Sequence, residues 1–255
     1  MLSDDLRWIG AGNTGPFTLD GTRTFLIGRR EVVVLDPGPD VDAHVRAVVV
    51  QAGDADTVRV VLTHHHADHA AAAPGVARAL GADVWGPPGG AVDHVLRDGD
   101  SVPTDAGTLV AVDTPGHTRE HLCFHWPVRR ALFAGDLVLG HGDTTWVAEY
   151  PGCVADYLAS LARLRGLDLE VIHPAHGPDL TDPAAALVRF EAHRHARIRQ
   201  AREAMDTHPG ASLDELLDVV YGDALSGDSV PAGMRRAARM SLEALVDHVR
   251  RTPDG

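Results

Sequence analysis

The chain has 255 residues, 44% of them hydrophobic and 23% charged, a globular composition that excludes a wholly disordered or collagen-like protein. Its net charge of −13 argues against a general polyanion binder. All 23 basic residues are Arg, so neither a phosphate-loop lysine nor a Schiff-base lysine exists here, and no run of about 18 apolar residues is present to span a membrane.

The opening MLSDDLRWIG is acidic and polar where a secretory leader would be basic and then apolar. Runs at 25–28, 31–36 and 58–63 are apolar, rich in β-branched residues and bounded by Gly, Pro and Asp, which predicts buried strands. Helices are expected over 43–51 and 70–80, the second capped by Gly81. Two more strands follow at 108–117 and 131–136, each stopping at a polar residue. Tyr157, Leu158, Leu161 and Leu164 share one helical face, and 169–177 is a last strand running into a His-rich loop. After Leu180 the texture turns helical. Asp182 and Pro183 form an N-cap with Pro at the first helical position, and Ser212 and Glu215 have capping-box spacing. A third tail helix is expected over roughly 232–251. The predicted organisation is a mixed α/β domain over 1–182 and a small helical domain over 183–255. Cys123 and Cys153 stand alone and in no CxxC pair, which excludes a disulfide framework and, with the polar N-terminus, predicts a reducing cytoplasmic setting.

The chemistry concentrates in VVLTHHHADHA at 60–70. Alternate residues of an extended chain share a face, so His64 and His66 can point one way while His65 points the other. If the chain then turns into a helix, Asp68 and His69 project from its first turn toward a neighbouring point. Three further candidates close predicted strands or follow them: His117, Asp136 and His176. Five His and two Asp supply the nitrogen and oxygen donors that suit Zn, and would also accept Fe or Mn. Asp36, ending the 31–36 strand, either fixes a ligand imidazole or is a plain turn residue before Pro37-Gly38. His121 either lies behind a ligand or is a satisfied core histidine. His141, His193 and His195 read as surface residues.

T-H-x-H-x-D-H at 63–69, T-P-G-H-T at 114–118, G-D at 135–136 and P-x-H-G at 174–177 together resemble the motif series of the metallo-β-lactamase fold hydrolases. That resemblance implies an αββα sandwich with the site along one sheet edge. It implies that His64, His66 and His117 hold one divalent metal, that Asp68, His69 and His176 hold a second, and that Asp136 bridges them; His121 is included in the pattern. GTRTFLIG, PGHTREHLCF and AHRHARIRQ narrow the likeness to the mitochondrial beta-lactamase-like endoribonucleases and their bacterial relatives, which end in a winged-helix-like domain. Arg23 stands where that group usually has Asn, and Ala175 where it commonly has Gly, which places substrate contacts in question.

Two adjacent ions lower the pKa of a bridging water from 15.7 to about 7, giving a hydroxide nucleophile, with Asp68 and Asp136 as the catalytic carboxylates. The expected activity is therefore dinuclear metal-dependent hydrolysis, with an endoribonuclease on single-stranded RNA as the leading specific case. The alternative is a glyoxalase-type hydrolase of small thioesters, esters or lactones. Residues 1–181 carry 24 acids against 13 Arg, and 182–255 carry 12 against 10, so any RNA contact would come from Arg189, Arg194, Arg197, Arg199 and Arg202. A DNA-binding metabolite sensor is the less favoured reading: helix 212–221 carries Asp214, Glu215 and Asp218 and no Arg, which counts against insertion into duplex DNA. The tail is expected to act as a packing or homodimerisation module.

Overall fold

Among residues 5–225 and 232–252, which the computed structural model describes, the apolar runs become strands covered on both faces. The first four residues of the polar N-terminal stretch lie outside that range. One sheet holds Leu6–Gly10 (β1), Arg23–Ile27 (β2), Glu31–Leu35 (β3), Thr57–Val61 (β4), Asp83–Gly86 (β5) and His94–Val95 (β6), neighbours in that order. The other holds Ser101–Val102 (β7), Leu109–Asp113 (β8), Leu122–Trp126 (β9), Ala131–Gly135 (β10) and Val171–Pro174 (β11), again neighbours in chain order.

Side-chain alternation explains the layers. Val33 and Leu35 of β3 face inward with Phe25, Ile27, Leu122, Phe124, Trp126 and Phe133 in the core between the sheets. Val32 and Val34 face outward against Asp42–Ala52 (α1) and Ala73–Leu80 (α3), through Val48, Ala52 and Val76. On the far side, Cys123, Leu132 and Ala134 pack against Tyr157 and Leu161 of Cys153–Leu164 (α4). Both faces of the central strands are therefore dry, which is why β3 and β10 are almost purely apolar. The result is the αββα sandwich.

The helix expected over 70–80 is two helices. Ala67–Ala70 forms a short turn (α2), and α3 begins at Ala73. Pro74 explains the break, because it has no N–H to continue the ladder and is tolerated in a first turn. Gly81 ends α3 in the left-handed region, its N–H bonded to the Ala77 carbonyl.

Pro183–Thr207 (α5), Leu213–Leu225 (α6) and Ala232–Arg251 (α7) make up the tail, which carries no strand among the described residues. Asp182 caps α5 through Ala185 N–H at 3.0 Å, and Ser212 and Glu215 exchange the two bonds of a capping box. Leu187, Phe190, Ile198, Leu217, Leu242 and Leu245 join the same apolar cluster as Leu132 and Leu161. No helix of the described residues is long and apolar enough to cross a membrane. Cys123 and Cys153 are buried and unbridged.

Candidate metal centre

β3 and β4 run parallel, as do β10 and β11, so Asp36, the 63–69 segment, Asp136 and His176 leave the two sheets at one edge of the sandwich. His117 reaches the same place from the turn after β8. Gly116 in that turn has a φ of +140° and lies against the Tyr157 backbone, where a Cβ would come within 2.6 Å of Tyr157 Cα. The structure brings all seven candidates together in two groups, His64, His66, His117 and Asp136 in one and Asp68, His69 and His176 in the other. Within each group the ligand atoms lie within 4.8 Å of one another. His65 turns away and bonds the Pro87 carbonyl at 3.1 Å.

The outer nitrogen of every imidazole is occupied, and this fixes the ring. His69 Nδ1–H donates to Asp36 Oδ2 at 2.9 Å. Asp36 Oδ2 also accepts the Thr63 hydroxyl at 2.8 Å, so Thr63 Oγ1 is left to accept His64 Nδ1–H at 3.0 Å. His117 Nδ1–H donates to the Trp146 carbonyl at 2.9 Å, and His176 Nδ1–H to the Gly21 carbonyl at 3.2 Å. His66 Nε2–H donates to Glu149 Oε1 at 2.5 Å. In neutral rings those assignments leave five lone pairs facing inward, Nε2 on four residues and Nδ1 on His66.

Nothing among the described residues satisfies them. His64 Nε2, His69 Nε2, His176 Nε2 and Asp136 Oδ1 are buried without a hydrogen-bond partner. His117 Nε2 and His66 Nδ1, both acceptors, face each other at 3.0 Å. His176 Nε2 lies 3.2 Å from Asp68 Oδ2 and 3.3 Å from Asp136 Oδ1, while Asp136 Oδ2 is 3.6 Å from His117 Nε2. Asp136 therefore touches both groups. Buried acceptors gathered without donors cost several kcal/mol unless a cation sits among them. The donor set fits divalent metal.

Burial, reinforced by His69 and His117, pushes His64 well below the ordinary imidazole value, and burial also lowers His117. His69 and His176 behave oppositely. Burial works against their charge, but Asp136 and Asp36 raise His69 well above the usual range, and Asp136 and Asp68 raise His176 to about 9. Burial would likewise raise Asp136, yet His69 and His176 hold it well below the carboxylate range.

Asp36 contacts one imidazole directly and a second through Thr63. It sits at a φ of +48°, a conformation Asp tolerates better than most residues. His121 is fully buried and touches no ligand imidazole by hydrogen bond. Its Nδ1 bonds Thr114 Oγ1 at 2.9 Å, and its Nε2 accepts the Asp136 backbone N–H at 3.2 Å, so it fixes where Asp136 begins. Gly135 before it has a φ of +49°, and a Cβ there would meet His121 Nε2 at 2.6 Å. Sequence reasoning missed Glu149, which has no fixed spacing from the other candidates. The carbonyls of Gly21 and Trp146 carry no residue-type signal at all.

The two departures from the family pattern take structural places. Arg23 is buried, pairs with Asp179 at 2.7 Å and donates through Nε to the Pro174 carbonyl at 3.1 Å. Ala175 is equally absorbed, its N–H bonded to the Gly135 carbonyl and its C=O to Arg23 N–H. Three of the five tail arginines are engaged within the chain, while Arg189 and Arg199 are exposed. Arg194 is 4% exposed beneath the 141–150 segment, Arg197 stacks on Tyr221 at 4.1 Å, and Arg202 bonds the Thr252 carbonyl.

Comparison with known proteins supports the same architecture. A solved beta-lactamase domain protein from Burkholderia ambifaria superposes with a TM-score of 0.86 at 21% identity, covering 100% of this chain and 88% of its own. Lactamase-like protein aptB of Emericella nidulans is 32% identical over 233 residues, 86% of this chain and 74% of that protein. The atrochrysone carboxyl ACP thioesterase of Aspergillus chevalieri is 32% identical over 226 residues, 83% of this chain and 71% of that protein. These relatives are named as lactamase-like proteins and thioesterases, so the narrower likeness to the endoribonucleases gives way to the wider family. With the metallo-beta-lactamase superfamily model matching residues 18–95 and 86–176, the chain belongs to that superfamily of hydrolases.

Proposed function

We propose that this protein is a dinuclear, zinc-dependent thioester hydrolase whose substrate is an acyl group carried on a phosphopantetheine thiol. One observation carries the metal part of the reading: five imidazole lone pairs and two carboxylates face one another with no donor among them. In this reading His64, His66 and His117 hold one ion, Asp68, His69 and His176 the other, and Asp136 serves both. When bound, such a pair of ions supplies hydroxide near neutral pH and neutralises an oxyanion.

The remaining roles belong to the chain. Asp68 is the more open carboxylate, its side chain 26% exposed against 10% for Asp136, and it is placed to orient the attacking water and hold its proton. Asp36 keeps the His64 and His69 rings in the tautomers that face inward. The substrate class follows from the relative named as a carboxyl ACP thioesterase and from leaving-group chemistry. A thiolate, with a parent pKa of about 8.5, departs without a general acid, whereas a ribose or alcohol oxygen needs one, and the cluster offers acceptors rather than donors. We also infer a boundary at 182, with the centre in 1–182 and the helices of 183–255 packed on it, and a cytoplasmic setting for its two reduced thiols.

The deciding experiment is a turnover panel on protein reconstituted with Zn, Mn or Fe, offering acyl-pantetheine and acyl-carrier thioesters, lactones and single-stranded RNA. Thiol release should dominate. RNA cleavage at a higher kcat/KM than any thioester would overturn the assignment.

A further inference from the structure

Between the tail and the centre runs the segment 141–150, which forms neither helix nor strand. It nevertheless holds three parts of the cluster. The Thr145 hydroxyl donates to the Asp136 carbonyl at 2.7 Å. The next carbonyl, of Trp146, takes His117 Nδ1–H, and Glu149 takes His66 Nε2–H. With no ladder of its own, the segment depends on whatever grips it from outside.

That grip comes from α5. Arg194 Nη2 donates to the Thr145 carbonyl at 3.1 Å, and Arg189 Nε to the Gly142 carbonyl at 3.2 Å. Arg194 is an expensive choice for a packing residue. Its guanidinium lies 5.1 Å over the Tyr157 ring, its Nε has no hydrogen-bond partner, and no carboxylate pairs with it among the described residues. A buried cation without a counter-charge costs several kcal/mol, and an apolar side chain would fill the same space more cheaply. What an apolar side chain could not do is donate a charge-assisted bond to the Thr145 carbonyl, one peptide before the carbonyl that orients His117.

We propose that Arg194 is a positioning residue for the metal centre: by fixing the Thr145 carbonyl it sets the 145–149 backbone that orients His117 and His66. Docking of the helical tail and affinity for metal are then one coupled equilibrium. The inference rests on reading the His/Asp cluster as a metal centre.

Chelator competition with Zn or Co(II) tests it on the full chain, comparing wild type, Arg194→Met and Arg194→Lys. Arg194→Met should weaken metal binding by about 10–100-fold, the range seen for partners that orient ligands, with helix content unchanged. Arg194→Lys should recover part of the loss. Wild-type affinity in Arg194→Met overturns the proposal. Should Arg194→Met not fold, hydrogen exchange on the wild-type chain with and without Zn decides instead. Metal should slow exchange at 145–149 and 190–197 more than in α1, which contributes no ligand, because coupling between sites is reciprocal. Equal slowing in α1 and α5 overturns it. Failure of the wild type to bind Zn, Co, Mn or Fe would remove the metal-centre reading itself, a result visible before any substitution is made.

Discussion

The two halves of the cluster are held by different kinds of structure. His69 and His176 are anchored by the sandwich itself, through Asp36 at the end of β3 and the Gly21 carbonyl just ahead of β2. His66 and His117 are anchored by an irregular segment, through Glu149 and the Trp146 carbonyl. The rings of the first half are also dry, His69 and His176 being fully buried although Asp68 beside them is 26% exposed, while in the second half His64 and His117 are buried and the His66 side chain is 34% exposed. Strand register fixes the dry half as soon as the sheets form. The wet half needs a second, separate set of contacts, and those come from the tail. Preorganisation in this protein is therefore uneven across a few ångströms, with the more rigid half away from solvent.

Substitution of the shared carboxylate should have the largest effect, because it erases the distinction. Asp136→Ala is expected to lower thioester turnover by more than about 100-fold, above the range for loss of an orienting partner, with far-ultraviolet circular dichroism unchanged. Full turnover in the metal-replete variant would show that the halves work independently. Asp36→Asn comes next. The carboxylate uses both oxygens, Oδ1 for Thr63 N–H and Oδ2 for the Thr63 hydroxyl and His69 Nδ1–H, and an amide offers only one acceptor, so metal affinity should fall by about 10–100-fold in both halves, read by chelator competition with stoichiometry.

Glu149→Gln should cost less, about 10-fold at most, and only in the wet half, because the carboxylate is a third exposed and the amide oxygen can still accept from His66. A loss as large as that of Asp36→Asn would make the irregular segment as decisive as the sheet. The smallest effect is one of pH and lies on the rigid side. Burial works against the Asp179 charge, but His173 and Arg23 hold its carboxyl down at about 2. A depressed carboxylate contributes stability above its unfolded pKa and loses it as pH falls through the folded value. The wild type should therefore lose about 1–2 kcal/mol between pH 4 and pH 2 that Asp179→Asn never had, measured by urea unfolding across that window.

Legibility in the sequence followed the same division. Strands buried on both faces announced themselves as apolar runs, and four of the ligand positions follow their ends, Asp136 directly and His64, His117 and His176 within four residues. Two other strands did not. β1, at a sheet edge, reads LRWIG, with Arg7, Trp8 and Gly10 partly or fully exposed, and β9, in the middle of its sheet, reads LCFHW beside the ligand motif, where it passes for part of it. The rigid half could be anticipated down to Asp36, a side chain at a strand end. The wet half could not, since its supports are a carbonyl and a glutamate in a loop. The five tail arginines looked alike in sequence because a one-dimensional count of charge cannot tell Arg194, inside, from Arg199, outside.

The Arg23 clamp has a consequence for how the molecule comes into being. Arg23 reaches Pro174 across 151 residues and Asp179 across 156, and the neighbouring Thr22 bridges to His176. On the ribosome β2 must wait for that partner, and at about 5–20 residues per second the wait is on the order of ten seconds. Contacts so distant in sequence make closure a late and slow event. Through that interval Phe25 and its neighbours lack their facing sheet, and the growing chain is exposed to aggregation or chaperone capture. His176, the last imidazole, arrives with the clamp. A cation can therefore reward the finished sandwich but cannot guide its early assembly, and refolding followed by metal uptake should show capture trailing the burial of tryptophan.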